Sequence, residues 1–242
     1  MRKLYLLSTL VLSLTVCSTG VNAQDFSNKG SEFWFCFPNH IPSGASTGAM
    51  SIWITSDQAS SGKISMTNGT FNATFSVAAN GITSVNIPHG LAHISNAESG
   101  TVIQKSLRLT VDPGQPEVVA YAQQYGNARS AATLLLPTNV LGKKYFASSY
   151  TYSATNGGGQ SSRSQFQVIA TQPSTQVRVT PMLNGVKAAP FIIPLVNTGD
   201  MYQYQSTQDV TGTLIESIAT ATGSCLPIAV FSGSSSATIG TT

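Results

Sequence analysis

"DVTGTLIES" (209–217) and, shortly after it, "PIAVFSGSSS" (227–236) repeat a pattern that the chain has used once before. The earlier copy consists of "SGTVIQKS" (99–106) followed by "PEVVAYAQQYGN" (116–127). In both copies a Gly-Thr pair precedes an apolar run, and a proline precedes the next one. Recurrence of such landmarks at a fixed offset is typical of an internally duplicated chain.

The match extends to other parts of the 242-residue sequence, and loops absorb the different offset at its start. "SIWITSDQASSGKISM" (51–66) matches "FQVIATQPSTQVRVT" (166–180), since each is a strand-like run, a polar turn and a second short strand. "FWFCFPNHIP" (33–42) matches "TLLLPTNVLG" (133–142), an apolar run that ends in proline. These matches favour duplication over the chance likeness of unrelated strands.

Short β-branched or alternating runs recur along the chain between Gly, Pro, Asn and Asp residues, whereas no stretch shows three turns of helical periodicity. The sequence therefore predicts an all-β fold of two tandem antiparallel β-sandwich units related by internal duplication. Each half holds six or seven strands in about 100 residues, the amount of chain in one sandwich. We place the first unit at 24–130 and the second at 131–242.

The N-terminal 23 residues have the three parts of a signal peptide. Arg2 and Lys3 are followed by an apolar run over 4–16, and "VNA" ends at Ala23. The run is too short and too rich in Ser and Thr for a membrane span. We predict cleavage near Ala23, a secreted or cell-surface protein, and no membrane insertion after cleavage.

Charged residues make up only 9% of the chain, against roughly 25% in ordinary soluble domains. Without residues 1–23, ten Lys and Arg face nine Asp and Glu, a net charge of +1. This balance argues against a nucleic-acid partner, which needs a basic patch. Residues of the hydrophobic class make up 41%, enough for a core. We expect no cofactor.

Cys36 and Cys225 are the two cysteines that remain after cleavage. An oxidising compartment permits a disulfide between them. Each lies in or beside an apolar run, however, and free cysteine is among the most buried residue types. We therefore favour two unpaired thiols and keep the disulfide as the alternative.

Histidine is the best candidate for metal or acid–base chemistry, and "PHGLAH" (88–93) puts His89 and His93 four residues apart. On a helix this spacing places two zinc ligands on one face. Gly90 stands where a zinc protease has its glutamate, and Pro88 and Gly90 argue against a helix. We predict ordinary loop histidines and no metal site.

Other catalytic patterns are weak. "GSSSA" (233–237) has the letters of a nucleophile elbow, but no helical pattern follows it as that motif requires. The nine acidic residues are scattered over loops and single out no pair for glycoside hydrolysis. We predict that the protein is not an enzyme and has no catalytic residue.

Four aromatic residues are candidates for contact with a partner. Trp34 and Trp53 can stack on sugar rings, and Tyr202 and Tyr204 alternate with Met201 and glutamines in a strand-like run. In alternating strands such residues more often fill the core. We predict core packing for all four.

Several strand-like runs carry a family resemblance. They are 30–38 ("GSEFWFCFP"), 134–150 ("LLLPTNVLGKKYFASSY"), 164–171 ("SQFQVIAT") and the C-terminal pair quoted first. From about Gly30 to Gly233 the chain resembles the IgGFc-binding protein N-terminal domain family. The resemblance implies a bacterial secreted or envelope protein that binds an extracellular partner.

We predict an exported, non-catalytic binding or adhesion module that recognises a glycan, glycoprotein or other extracellular partner through β-sandwich loops or faces. The loops at 38–49 and 154–164 are the first candidates, because they are long and polar. A structural spacer of a cell-envelope protein is the alternative, and a carbohydrate-active enzyme ranks third.

Overall fold

The computed structural model describes residues 27–40, 48–126, 129–151, 161–220 and 223–237. The predicted signal peptide (1–23) lies outside the described residues. Within them the prediction of an antiparallel all-β fold is confirmed, since every strand pairing is antiparallel.

The first half of the chain contains nine of the described strands. They are β1 (Glu32–Phe35), β2 (Ala49–Ser56), β3 (Ser60–Met66), β4 (Asn72–Val77), β5 (Gly81–Ile87), β6 (Val102–Ile103), β7 (Leu107–Val111), β8 (Val119–Gly126) and β9 (Arg129–Leu134). A one-turn α-helix, α1 (His89–Ala92), and a 3-10 turn (Asn96–Glu98) lie between β5 and β6.

The second half contains nine more described strands. They are β10 (Lys144–Phe146), β11 (Ser164–Ala170), β12 (Thr175–Thr180), β13 (Met182–Leu183), β14 (Val186–Lys187), β15 (Phe191–Leu195), β16 (Met201–Ser206), β17 (Leu214–Ile218) and β18 (Ile228–Ser234). A 3-10 turn (Thr138–Val140) precedes β10.

Two sheets enclose the core of the first half. Their strand orders are β1-β7-β3-β4 and β5-β2-β8-β9. Phe33, Ile64 and Leu109 from one sheet pack with Ile52 and Ala120 from the other in one buried apolar cluster. The alternation in β2 explains this arrangement, because period two sends every second side chain to the core.

The second half repeats this arrangement with orders β10-β17-β12-β15 and β18-β11-β16-β6. The two halves correspond strand by strand. The order β10-β17-β12-β15 corresponds to β1-β7-β3-β4, and the order β16-β11-β18 corresponds to β5-β2-β8. This correspondence supports the internal duplication, which stays a prediction. The place of β1 is taken by β10, however, and not by the 133–142 segment that the sequence had matched to it.

Two strands tie the halves together. The short β6 pairs with β16, with Ile103 opposite Met201. Strand β9 runs past the predicted boundary between 130 and 131 and pairs with β8, with Leu134 opposite Tyr121. The boundary itself stays a prediction.

The repeated Gly-Thr landmark corresponds to a repeated turn. Gly100 and Gly212 both have a left-handed backbone, with φ of 86° and 85°, which glycine adopts without steric cost. The strands that follow differ in use, because Gly212 leads into β17 of its own half and Gly100 leads into β6, which joins the other half.

An apolar cluster fills the seam between the halves. Trp34, Cys36 and Ile94 of the first half pack against a set from the second half, namely Ile169, Met201 and Ala229. Strand β11 is buried along its whole length as a result. One of its faces packs in the core of the second half, and the other packs in this seam.

Buried side-chain amides cross the same seam. Gln203 Oε1 accepts hydrogen bonds from the Asn39 backbone N–H at 2.9 Å and from Gln167 Nε2 at 3.0 Å. Gln165 Nε2 donates to the Asn39 carbonyl at 2.7 Å, and Gln203 Nε2 donates to Ser99 Oγ at 2.8 Å. Since buried polar groups are costly unless hydrogen-bonded, these bonds favour one relative placement of the halves.

Gly199 lies where the two halves are in close contact. Its φ is +82°, and a Cβ at this position would overlap the Thr67 methyl and lie 2.9 Å from Trp34 Cζ3. Ser106 Oγ donates to the Gly199 carbonyl at 2.6 Å. Gly69 has a similar φ of +76° but open space around it.

We expect Gly199→Ala to lower the free energy of unfolding by about 1–3 kcal/mol more than Gly69→Ala does, which is the usual cost of overpacking. Both substitutions impose the left-handed strain, so their difference isolates the clash in the seam. Urea unfolding of the two variants measures it. Equal losses of stability would contradict the close packing described at Gly199.

Candidate functional site

The outer face of sheet β5-β2-β8-β9 presents a row of large side chains to solvent. Trp53 on β2 is opposite Tyr121 on β8, and Tyr121 is opposite Leu134 on β9. The exposed fractions of these three residues are 37%, 40% and 37%. Tyr125, two residues along β8 from Gln123, is exposed on the same face. We call Trp53, Tyr121, Tyr125 and Leu134 the aromatic face.

The prediction of core packing is therefore wrong for Trp53, although Trp34 is buried as expected. The physical reason is strand alternation. Ile52 and Ile54 both point into the core, so the residue between them must point out. This signal was already present in "SIWIT".

Uncharged polar groups surround the aromatic face. Trp53 Nε1 donates to Gln123 Oε1 at 2.7 Å, and Ser51 Oγ donates to Asn86 Oδ1 at 2.9 Å. The remaining described outward positions of these four strands are Ala49, Thr55, Ile82, Ser84, Val119, Ser130 and Ala132. None of these described side chains carries a charge.

A cavity of about 460 Å³ opens where the first half meets β18. Trp34, Tyr145 and Phe231 give it an apolar wall, and Gln124 and Ser232 contribute polar groups. Among the described residues, its lining contains no Asp, Glu, His, Lys or Arg. Such a lining offers shape and hydrogen bonds and has no acid–base pair.

The three histidines of the chain meet at one end of the first half. One ring nitrogen from each of His40, His89 and His93 lies within 4.8 Å of the other two. The Nε2 atoms of His40 and His89 are 3.4 Å apart. The rings of His89 and His93 stack with centroids 4.7 Å apart, and His40 meets both edge to face.

The helix excluded from "PHGLAH" is present, so that prediction is wrong. His93 N donates to the His89 carbonyl at 2.9 Å, which closes the single turn of α1. Pro88 precedes the helix, where a missing N–H costs nothing because the first turn has no partner for it. Gly90 weakens such a turn without preventing it.

Burial lowers the pKa of His93 to about 4, and the neighbouring His40, His89 and Lys105 act in the same direction. Glu98 opposes the shift, since its carboxylate favours the charged imidazole. Burial also lowers the pKa of His89. Lys105 Nζ is held in place by Glu98 Oε1 at 2.6 Å and by the His93 carbonyl at 2.9 Å.

The cysteines named in the sequence are both free thiols in the structure. Cys36 is buried in the seam and Cys225 is partly exposed. Burial raises the pKa of the Cys36 thiol far above its usual range. The disulfide stays an untested alternative for an oxidising medium.

Most of the two candidate loops, 41–47 and 152–160, lies outside the described residues. Tyr202 and Tyr204 pack against the core of the second half, as predicted, and Tyr204 stacks on Phe166. "GSSSA" begins in β18 and ends at residue 237, the last described residue, so the segment after it lies outside the described residues.

Comparison with known proteins identifies one family. Residues 131–242 match the family model described as IgGFc binding protein, which confirms the resemblance for that part of the chain. No curated protein matches the chain. No solved structure matches it either. Among the described helices, none has the length and apolar character needed to cross a membrane.

We expect a thiol-specific reagent to modify Cys225 in the native protein and to modify Cys36 only after unfolding, because a buried protonated thiol is inert. Labelling with and without denaturant, followed by mass spectrometry, measures this. A Cys225→Ser variant should show no labelling at Cys36 until it unfolds. Rapid native modification of Cys36 would contradict its burial.

We expect the free energy of unfolding to decrease as the pH falls from about 6.5, where an ordinary histidine titrates, towards 4. Over this range the unfolded chain binds a proton at residue 93 and the folded chain resists it, so acid favours unfolding. Urea unfolding at a series of pH values, in a buffer with a metal chelator, measures the slope of the free energy of unfolding against pH. His93→Gln should flatten it, and an unchanged slope would contradict the low pKa.

Proposed function

We propose that the protein is a non-catalytic binding module that acts outside the cell and recognises a glycoprotein through the aromatic face. The observation that carries the proposal is the exposed row of Trp53, Tyr121 and Leu134, aligned across three strands. Contact surfaces typically contain large aromatic side chains that are exposed and do not pack in the core. The alignment makes this surface continuous.

The chemistry of the face favours the glycan part of such a partner. A sugar ring has an apolar C–H face, which packs on an aromatic ring, and hydroxyl groups, which bond to amides and hydroxyls. Gln123, Asn86 and Ser51 supply those polar groups beside Trp53. A charged peptide would find no complementary charge among the described residues of this face.

The family match supports a binding role. The model that matches residues 131–242 is named for the binding of IgG Fc, so the Fc region, which is a glycoprotein, is one candidate partner. The proposal assigns no catalytic role to the cavity between the halves, whose described lining contains no acid–base pair.

Export belongs to the same proposal. The signal peptide at 1–23, cleaved near Ala23, would deliver the module to the exterior, and the two duplicated units, 24–130 and 131–242, would act there as one body. The amides and apolar residues of the seam support a stiff pair. The same stiffness favours the second candidate function, a structural spacer in a cell-envelope protein.

We expect the purified protein to bind a member of an array of glycans, mucins and IgG Fc, and we expect a Trp53→Ala, Tyr121→Ala double variant to bind it at least about tenfold more weakly. Central aromatic residues commonly contribute this much to an interface. Titration by surface plasmon resonance measures the loss. Phe146→Ala is the matched control, because Phe146 is an exposed aromatic residue on β10 of the other half.

Unchanged binding by the double variant, with folding intact, would remove the aromatic face from the proposal. Equal binding to the ligand before and after enzymatic deglycosylation would show a protein partner without a glycan contact. A well-folded protein that binds nothing on the array would favour the spacer.

A further inference from the structure

We propose that His40, His89 and His93 form a binding site for one divalent transition-metal ion of the zinc class. The three imidazoles come from two segments about 50 residues apart in sequence, since His40 follows β1 and the other two lie on and directly after α1. Within the described residues, this is the one group of at least three potential ligands whose atoms lie this close together.

The spacing of the ring nitrogens suits tetrahedral coordination. With Zn–N bonds of about 2.0–2.1 Å, two ligands of a tetrahedron are about 3.3 Å apart. The Nε2 atoms of His40 and His89 are already 3.4 Å apart. The largest separation in the cluster is within 4.8 Å, which small rotations of the imidazole rings would close.

Hydrogen bonding leaves one nitrogen of the cluster unexplained. The His40–His89 contact of 3.4 Å is longer than the usual protein hydrogen bond. His93 Nδ1 is buried and has no hydrogen-bond partner among the described residues. A buried polar nitrogen without a partner requires an explanation, such as an ion or water that completes the site.

The backbone places the ligands before any ion binds. The turn of α1 brings His89 and His93 to one side of the helix, four residues apart. Asn39 Nδ2 donates to the Ile94 carbonyl at 3.0 Å, which fixes the segment before His40 next to the residue after His93. Phe37 and His93 form a parallel bridge that holds the same two segments together.

The donor set selects the class of ion. Neutral imidazole suits Zn²⁺, Cu²⁺ and Ni²⁺, whereas Mg²⁺ and Ca²⁺ require oxygen ligands. Nε2 of His40 faces His89, and it coordinates an ion when the proton of the neutral ring lies on Nδ1. Three histidines leave a fourth tetrahedral position for water or for a side chain of a partner.

The ion would connect α1 with the segment that follows β1. This connection would lie at one end of the sheet that carries the aromatic face. Gln124, which contacts His40, directly precedes Tyr125 of that face. A metal ion here would therefore stiffen the end of β8. This role is independent of whether the aromatic face binds a glycoprotein.

The test uses tag-free protein, stripped with a chelator and titrated with ZnCl₂ by calorimetry. We expect saturation at about one ion per chain and an increase in melting temperature with Zn²⁺, because an ion that binds only the folded state stabilises it. MgCl₂ should produce neither effect. Co²⁺ should give the intense visible absorption of a tetrahedral complex, and this readout requires no variant.

His89→Ala and, separately, His40→Ala should weaken Zn²⁺ binding by about 100-fold or more, beyond the 10- to 100-fold typical of groups outside the ligand set. Cys225→Ser is the matched control and should bind as the unmodified protein does. The melting temperature in chelator must be unchanged in each variant. Absence of saturable Zn²⁺ binding, or equal binding by His89→Ala, would overturn the proposal.

Discussion

The burial of strand β11 on both of its faces is the constraint on which the rest of the structure depends. Tyr204 and Phe166 point to one side and pack in the core of the second half, whereas Gln203 and Gln165 point to the other side and meet Asn39 of the first half. Each amide that enters this seam must find a partner or incur a desolvation penalty. The hydrogen bonds therefore orient the halves, and the apolar cluster around Trp34 contributes the burial.

This constraint decides which surfaces remain available for function. Strand β11, at the centre of its sheet, is buried on both faces, whereas the outer face of the counterpart sheet, β5-β2-β8-β9, is left to solvent. Strand β9 adds Leu134 to the edge of that counterpart, beside Tyr121, and thereby widens the aromatic face. The same seam holds Asn39 and Ile94 together, which brings His40 to α1.

Particular residues show how far sequence reasoning reached towards the candidate sites. The general behaviour of tryptophan predicts Trp53 in the core, whereas strand alternation between Ile52 and Ile54 predicts that it faces solvent. His89 and His93 were recognised as a pair, but His40 lies about 50 residues earlier, and their meeting depends on a bridge between Phe37 and His93. No local pattern signals such a long-range contact.

Sequence alone determined the all-β class, the antiparallel strands and the repeated Gly-Thr turns, because period-two alternation and glycine's tolerance of positive φ are local properties of the chain. Tertiary structure alone decided that β6 crosses to the other half, that glutamines form hydrogen bonds across the seam, and that three distant histidines lie together. The physical reason is that β-sheets pair strands far apart in sequence. A partner strand is chosen by packing and by the satisfaction of buried polar groups, neither of which a single segment encodes.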